Sequence, residues 1–178
     1  MGSKIILVTG ASDGIGKETA MTLAKQGHTI IIHGRNKQKL QAVYDEIKRE
    51  TGNKNIDMFT ADFLSLEEIK RFANTIKTKY DHLDVLINNA GAQFGNKREV
   101  TIEGHEKTMM INVFAPFLLT TLLLDLLRKS PCNRFLCLTQ NEWETLFGRY
   151  RTERQLYHVE GIRFIKTVYY LGNASFCY

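Results

Sequence analysis

The stretch Thr9-Gly10-Ala11-Ser12-Asp13-Gly14-Ile15-Gly16 decides how this chain folds. Before it lies Lys4–Thr9 (KIILVT), a short apolar run rich in β-branched residues that reads as a strand buried on both faces. After it, Gly14–Gln26 places Ile15, Ala20, Leu23 and Ala24 on one helical face, and Gly27 supplies the C-terminal cap. A glycine-rich turn from strand to helix brings backbone N–H groups and the positive end of a helix dipole against a phosphate. Glycine is needed there because a Cβ would strike a pyrophosphate or keep the helix off the strand. The spacing is G-x-x-x-G-x-G, and its place after a first strand and before a helix points to a dinucleotide. Gly10, Ser12, Asp13, Gly14, Ile15 and Gly16 are the candidate contacts.

The same alternation continues outward. Thr29–His33 (TIIIH) is a second buried strand. Asn36 caps a helix with the apolar stripe Leu40, Val43 and Ile47, ended by Gly52. Ile56–Thr60 is a third strand. Ser65-Leu66-Glu67-Glu68 is a capping box opening a helix with Leu66, Ile69, Phe72, Ala73 and Ile76 on one face. Leu83–Asn88 is a fourth strand, a polar loop at Gln93–Arg98 precedes a long helix over Glu103–Lys129, and Arg134–Thr139 is a fifth strand. Repeated βαβ crossovers imply a three-layer α/β fold: a Rossmann-type doubly wound parallel sheet, truncated after its fifth strand. Beyond Gln140 the pattern degrades. Residues 141–178 hold five of the seven tyrosines and the only tryptophan, with charges at no helical spacing. The expected organisation is a dinucleotide-binding domain over 1–140. A divergent or frame-shifted segment over 141–178 follows it and is not a separate domain. A sheet ended at its fifth strand would expose an unpaired edge.

With 178 residues, 43% of them hydrophobic and 24% charged, the chain is long and apolar enough for one folded domain. The net charge of +5 comes without the clustered Lys/Arg stripe of a nucleic-acid binder, so no nucleic-acid partner is expected. Cys132, Cys137 and Cys177 are odd in number and form no C-x-x-C pair, which argues against a disulfide framework or metal site and for a reducing, cytoplasmic setting. Ile5–Val8 is too short for a signal-peptide core. Met109–Leu124 carries no charge, but Asn112, Pro116 and Thr120-Thr121 interrupt it, so it reads as a buried helix and not a membrane span.

Other candidate residues follow the later strands. An acidic residue after the second strand would accept from the 2′-OH of an adenosine ribose, whereas an arginine accommodates a 2′-phosphate. Here the run is His33-Gly34-Arg35-Asn36, so NADP(H) is expected over NAD(H), with Arg35 and Asn36 as contacts. Asp62 follows the third strand and Asn88-Asn89-Ala90-Gly91 the fourth, on the same rim as Gly10–Gly16. Asn112 is an amide inside an apolar helix and should have partners, because a buried unpaired amide costs about 1–3 kcal/mol.

Together these residues resemble the short-chain dehydrogenase/reductase family over residues 4–140: Thr9-Gly10-x-x-x-Gly14-x-Gly16, Asp62, Asn89-Ala90-Gly91 and Asn112 stand in its order and spacing. Gly14-Ile15-Gly16-Lys17, His33-Gly34-Arg35-Asn36 and Phe117-Leu118-Leu119-Thr120 look like the NADP-preferring branch related to retinol dehydrogenases. The resemblance implies an oxidoreductase that transfers hydride between a nicotinamide and a small alcohol or carbonyl substrate. Its long helix would form part of a four-helix subunit interface, hence a homo-oligomer. It also implies catalysis by Asn, Ser, Tyr and Lys, of which Asn112 alone is matched. Gln140 stands where the family has Ser. Of the later tyrosines, Tyr150, Tyr157, Tyr169 and Tyr170 are followed four residues on by Arg154, Gly161, Asn173 and Ala174, never by Lys. Tyr44 and Lys48 have the spacing but lie on the second helix. Hydride transfer impaired in this chain is therefore expected; the alternative is a non-catalytic NADP(H)-binding or interaction protein.

Overall fold

Side chains alternate across the first strand, Ile5–Val8 (β1), and that alternation divides the core in two. Ile6 and Val8 join Ile30, Ile32 and Ile87 in one apolar layer, and Leu7 joins Ile31 and Leu86 in the other. The computed structural model describes residues 2–95 and 97–130, and beyond them the backbone of 134–137, 151–159, 162–171 and 174–175. Residues 139 and 140 lie outside the described residues.

Helices α1 (Gly14–Lys25) and α2 (Lys37–Thr51) cover the first layer through Ala20, Met21, Ala24, Leu40, Val43 and Ile47. The second layer is covered by α3 (Leu66–Lys79) and a long helix. That helix runs as α4 (Lys107–Met109), a π turn (Met110–Phe114) and α5 (Ala115–Lys129). Strands β2 (Thr29–Gly34), β3 (Ile56–Thr60), β4 (Val85–Asn88) and β5 (Arg134–Cys137) run parallel with β1, in the order β3-β2-β1-β4-β5. The doubly wound parallel fold is therefore as read from the sequence. The caps agree as well: Asn36 Oδ1 accepts from the Lys39 N–H at 2.9 Å, Ser65 Oγ accepts from the Glu68 N–H at 3.4 Å, and Gly52 ends α2 at φ +65°.

Four local readings need correction. Ile15 is 58% exposed and not on the buried face of α1; Gly16, Ala20, Met21 and Ala24 form that face, where at Gly16 a Cβ would lie 2.4 Å from Asn89 Nδ2. The long helix begins at Lys107, not Glu103. Residues 100–106 are taken up by a small turn closed by a Val100–Glu106 bridge, and Glu106 caps the helix by accepting from the N–H groups of Thr108 (2.9 Å) and Met109 (2.7 Å). The expected open edge at the fifth strand is filled. Strand β7 (Ile162–Leu171) pairs parallel with β5 from Arg134↔Arg163 to Leu136↔Ile165, and β6 (Arg151–Val159) pairs antiparallel with β7. A short β8 (Ala174–Ser175) pairs antiparallel with β7, so the sheet continues past β5. Lastly, residues 141–178, read as patternless, contain these strands.

The long helix has the length and hydropathy of a membrane span, with a mean hydropathy of 1.9 over its apolar window. One face of it is nevertheless core: Met110, Ala115, Leu119, Leu123, Leu126 and Leu127 are buried against α3 and the sheet.

Candidate functional site

The carboxyl ends of β1 to β4 meet on one rim, where parallel α/β sheets bind ligands. The rim is tied together by the residues singled out in the sequence. Thr9, fully buried, accepts through Oγ1 from the N–H groups of Asn89 and Ala90, each at 3.0 Å. Asn89 returns two bonds from Nδ2, to the carbonyl oxygens of Thr9 and Gly10, each at 3.0 Å. The glycines let these segments touch. A Cβ on Gly10 would lie 2.7 Å from the Ala90 Cα, and one on Gly16 would lie 2.4 Å from both Asn89 Nδ2 and the Gly10 carbonyl oxygen. A Cβ on Gly91 would lie 2.7 Å from Asn112 Oδ1. The structure thus brings Gly10, Gly16, Asn89, Ala90, Gly91 and Asn112 into one contact chain.

Asn112 is half-buried and has its expected partners: Nδ2 donates to the carbonyl oxygens of Ala92 (2.8 Å) and Thr108 (2.9 Å). It sits inside the π turn, which has no counterpart in the sequence pattern. Asp13 points its carboxylate into its own helix, accepting from the Gly14 N–H at 2.8 Å while the side chain stays exposed. Ser12 packs near Gly34, whose Cβ would lie 3.2 Å from Ser12 Cβ and Oγ. Gly14 lies at φ +53° with open space where a Cβ would project, beside the first-turn N–H groups of α1.

Beside this turn, a cavity of about 410 Å³ is lined by Arg35, Asn36, Thr60, Ala61, Asp62 and Glu68. That is within the usual size of a small-ligand pocket. Asp62 is fixed from three sides: its Oδ1 accepts from the Leu64 N–H at 2.9 Å, its carbonyl from Ser65 N–H at 3.0 Å, and its own N–H donates to Glu68 Oε2 at 2.6 Å. The glutamate of the capping box therefore reaches back to Asp62 and holds the cavity wall. The exposed Arg35 guanidinium makes no hydrogen bond or ion pair with the described residues. The groups and the room present fit an adenosine phosphate: a free guanidinium and a helix N-terminus as donors to the phosphate, a glycine with no obstruction above it, and an ordered carboxylate as an acceptor for the nucleoside.

His33 lies near the end of β2, one residue before its last residue Gly34. It is 2% exposed and stacks on Phe63, with ring centroids 4.0 Å apart and 16° between planes. Burial pushes its pKa down to about 4, so the ring is neutral at pH 7. The signal available was a histidine closing an otherwise apolar strand. Tyr44 and Lys48, by contrast, bond to each other on the exposed surface of α2, with Lys48 Nζ 4.3 Å from the Tyr44 ring centroid and neither on the rim.

The comparisons with known proteins converge on one family. The short chain dehydrogenase family model matches residues 4–133. Human polyprenol dehydrogenase is 41% identical over 127 residues, covering 71% of this chain and 38% of that protein. Human retinol dehydrogenase 13 is 39% identical over 136 residues, covering 76% and 41%. A crystal structure of a short chain dehydrogenase from Shigella flexneri 2a str. 301, complexed with NADP, superposes with a TM-score of 0.67 at 40% identity, covering 77% of this chain and 59% of that one. The chain spans about two fifths of the length of these two curated relatives. The match of sequence and rim geometry makes this chain a member of the short chain dehydrogenase family.

Proposed function

We propose that residues 1–140 bind NADP(H) on this rim in preference to NAD(H), and that the family's reaction is impaired in this chain. That reaction is hydride transfer between the nicotinamide and a small alcohol or carbonyl compound. The observation that carries the cofactor reading is Arg35, unpaired on the cavity beside an ordered Asp62. In this reading Arg35 and Asn36 meet the 2′-phosphate and Asp62 meets the adenine. Gly10, Ser12, Asp13, Gly14, Ile15 and Gly16 surround the pyrophosphate, with Asn89, Ala90 and Gly91 along the ribose side. The bound nicotinamide supplies or accepts the hydride. The chain's own part is to orient it, and Asn112, against Gly91 after β4, is the one residue of the family's proton relay that this chain matches.

Impairment is supported by the residues after β5. A general acid must lie within hydrogen-bond reach of the reacting oxygen, and it contributes about 10²–10⁴-fold. Tyr157, Tyr169 and Tyr170 lie on strands β6 and β7, so no helical turn sets a lysine four residues away beside them. A soluble, cytoplasmic, homo-oligomeric protein acting on small molecules completes the proposal. The test uses the purified chain with NADPH and a panel of aldehydes, ketones and retinoids. Nucleotide binding is expected with turnover far below the ordinary range of about 1–10³ s⁻¹. Turnover inside that range refutes the impairment, and failure to bind NADPH refutes the cofactor reading. Binding with no turnover at all favours the non-catalytic, nucleotide-binding alternative.

A further inference from the structure

His33 uses both ring nitrogens, and it uses them on two different walls of the groove. Nδ1 accepts from the Gly10 N–H at 3.4 Å, and Nε2 lies 3.0 Å from the Ala61 carbonyl oxygen. Accepting at Nδ1 places the ring proton on Nε2, which donates to Ala61. Gly10 opens the glycine turn, and Ala61 immediately precedes Asp62. These two segments leave the sheet from β1 and β3, which are not neighbours, because β2 lies between them. Strands sit about 4.8 Å apart, so β1 and β3 are about 10 Å apart, beyond the reach of a backbone ladder bond. Among the described residues, no hydrogen bond runs directly from residues 9–16 to residues 60–64. A side chain at the end of β2 is placed to join them, and His33 is there. Its ring is held in turn by Phe63 at 4.0 Å and Phe72 at 4.9 Å, so it has little freedom to swing.

We infer that His33 is a positioning residue for the nucleotide: a rigid spacer that sets the separation between the glycine turn and the Asp62 wall. The inference rests on the cofactor reading above and adds to it a specific dependence. A ligand that touches both walls should feel the loss of the spacer, whereas a ligand that touches only the Arg35–Asp62 wall should not. A residue needed merely for packing would affect the two alike.

His33→Phe keeps a flat ring on Phe63 and removes both nitrogens. NADPH spans the two walls; adenosine 2′-monophosphate has no pyrophosphate and reaches only one. Fluorescence titration of NADPH against the unmodified and variant chains should show about tenfold weaker binding in the variant. Adenosine 2′-monophosphate, titrated calorimetrically, should bind both chains equally. Unchanged NADPH affinity in a folded variant overturns the inference, as do equal losses for the two ligands. If the unmodified chain binds neither ligand, the cofactor reading itself fails and takes the inference with it, a result distinct from either of those. Should His33→Phe fail to fold, the ring ¹⁵N shifts of the unmodified protein decide. An unprotonated Nδ1 with a protonated Nε2 is expected, and the opposite tautomer overturns the spacer.

Discussion

Adding one methyl group at Gly16 should damage this protein more than adding one at Gly14, although both glycines belong to the same turn. The Gly16 methyl would arrive 2.4 Å from Asn89 Nδ2 and 2.4 Å from the Gly10 carbonyl oxygen. Those two atoms are bonded to each other at 3.0 Å, and the same amide holds the Thr9 carbonyl at 3.0 Å. Neither can retreat without breaking the joint between β1 and β4. Leaving the buried amide unpaired costs about 1–3 kcal/mol, and overpacking adds about 1–3 kcal/mol. Gly16→Ala should therefore destabilise by about 2–6 kcal/mol, a large share of the roughly 5–15 kcal/mol of an ordinary domain. At Gly14 a methyl meets nothing within 4 Å, and only the left-handed backbone at φ +53° opposes it, a cost of about 1–2 kcal/mol. Urea unfolding of the two variants beside the unmodified chain, followed by circular dichroism, measures the difference. If Gly16→Ala is as stable as Gly14→Ala, the Gly10–Asn89–Gly16 contact is not what closes the rim.

Three further outcomes follow from the same structure. Arg35→Asp should reverse the cofactor preference: losing charge-assisted bonds to a 2′-phosphate costs about 1.5–3 kcal/mol, roughly tenfold to a hundredfold in affinity. Parallel titrations with NADPH and NADH check this, and tighter NADH binding by the unmodified chain contradicts it. Acid should weaken the fold through His33, whose pKa is about 4 when folded against an ordinary histidine value of 6.5. The folded state then resists a proton that the unfolded chain takes up. The full contribution is present above pH 6.5, and about 2 kcal/mol of it is lost by pH 5. His33→Phe should remove that part of the slope between pH 7.5 and pH 5 in urea unfolding, and an unchanged slope would show that the ring is not held neutral. Finally, Met109–Leu127 should stay inside the protein and not in lipid. The expressed chain is expected in the soluble fraction after a carbonate wash, and retention in membranes refutes this.

Much of the fold was legible because it depends on neighbours in the chain. The runs at Ile5–Val8 and Thr29–Gly34, the stripe Leu40, Val43 and Ile47, and the caps at Asn36, Gly52 and Ser65 are set by local periodicity and hydrogen bonding within one turn. The glycine turn and the four loops of the rim were legible for the same reason. Strand β7 carried a signal too: seven of the ten residues of Ile162–Leu171 are aromatic or β-branched.

The tertiary structure alone decided which side chains bridge these segments. Gly10 meets Asn89 across 79 positions of sequence because β1 lies between β2 and β4. Glu68, placed by its capping box, reaches Asp62 instead of closing the box on Ser65, since α3 packs with its first turn against the end of β3. His33 looked like one more strand residue until β2 came to separate β1 from β3, which left it as the group that touches both. Ile15 looked like core until the close approach of α1 reserved that face for Gly16 and Ala20. In each case the deciding quantity is the lateral order and spacing of strands, a property of contacts between distant residues that no local pattern of residues records.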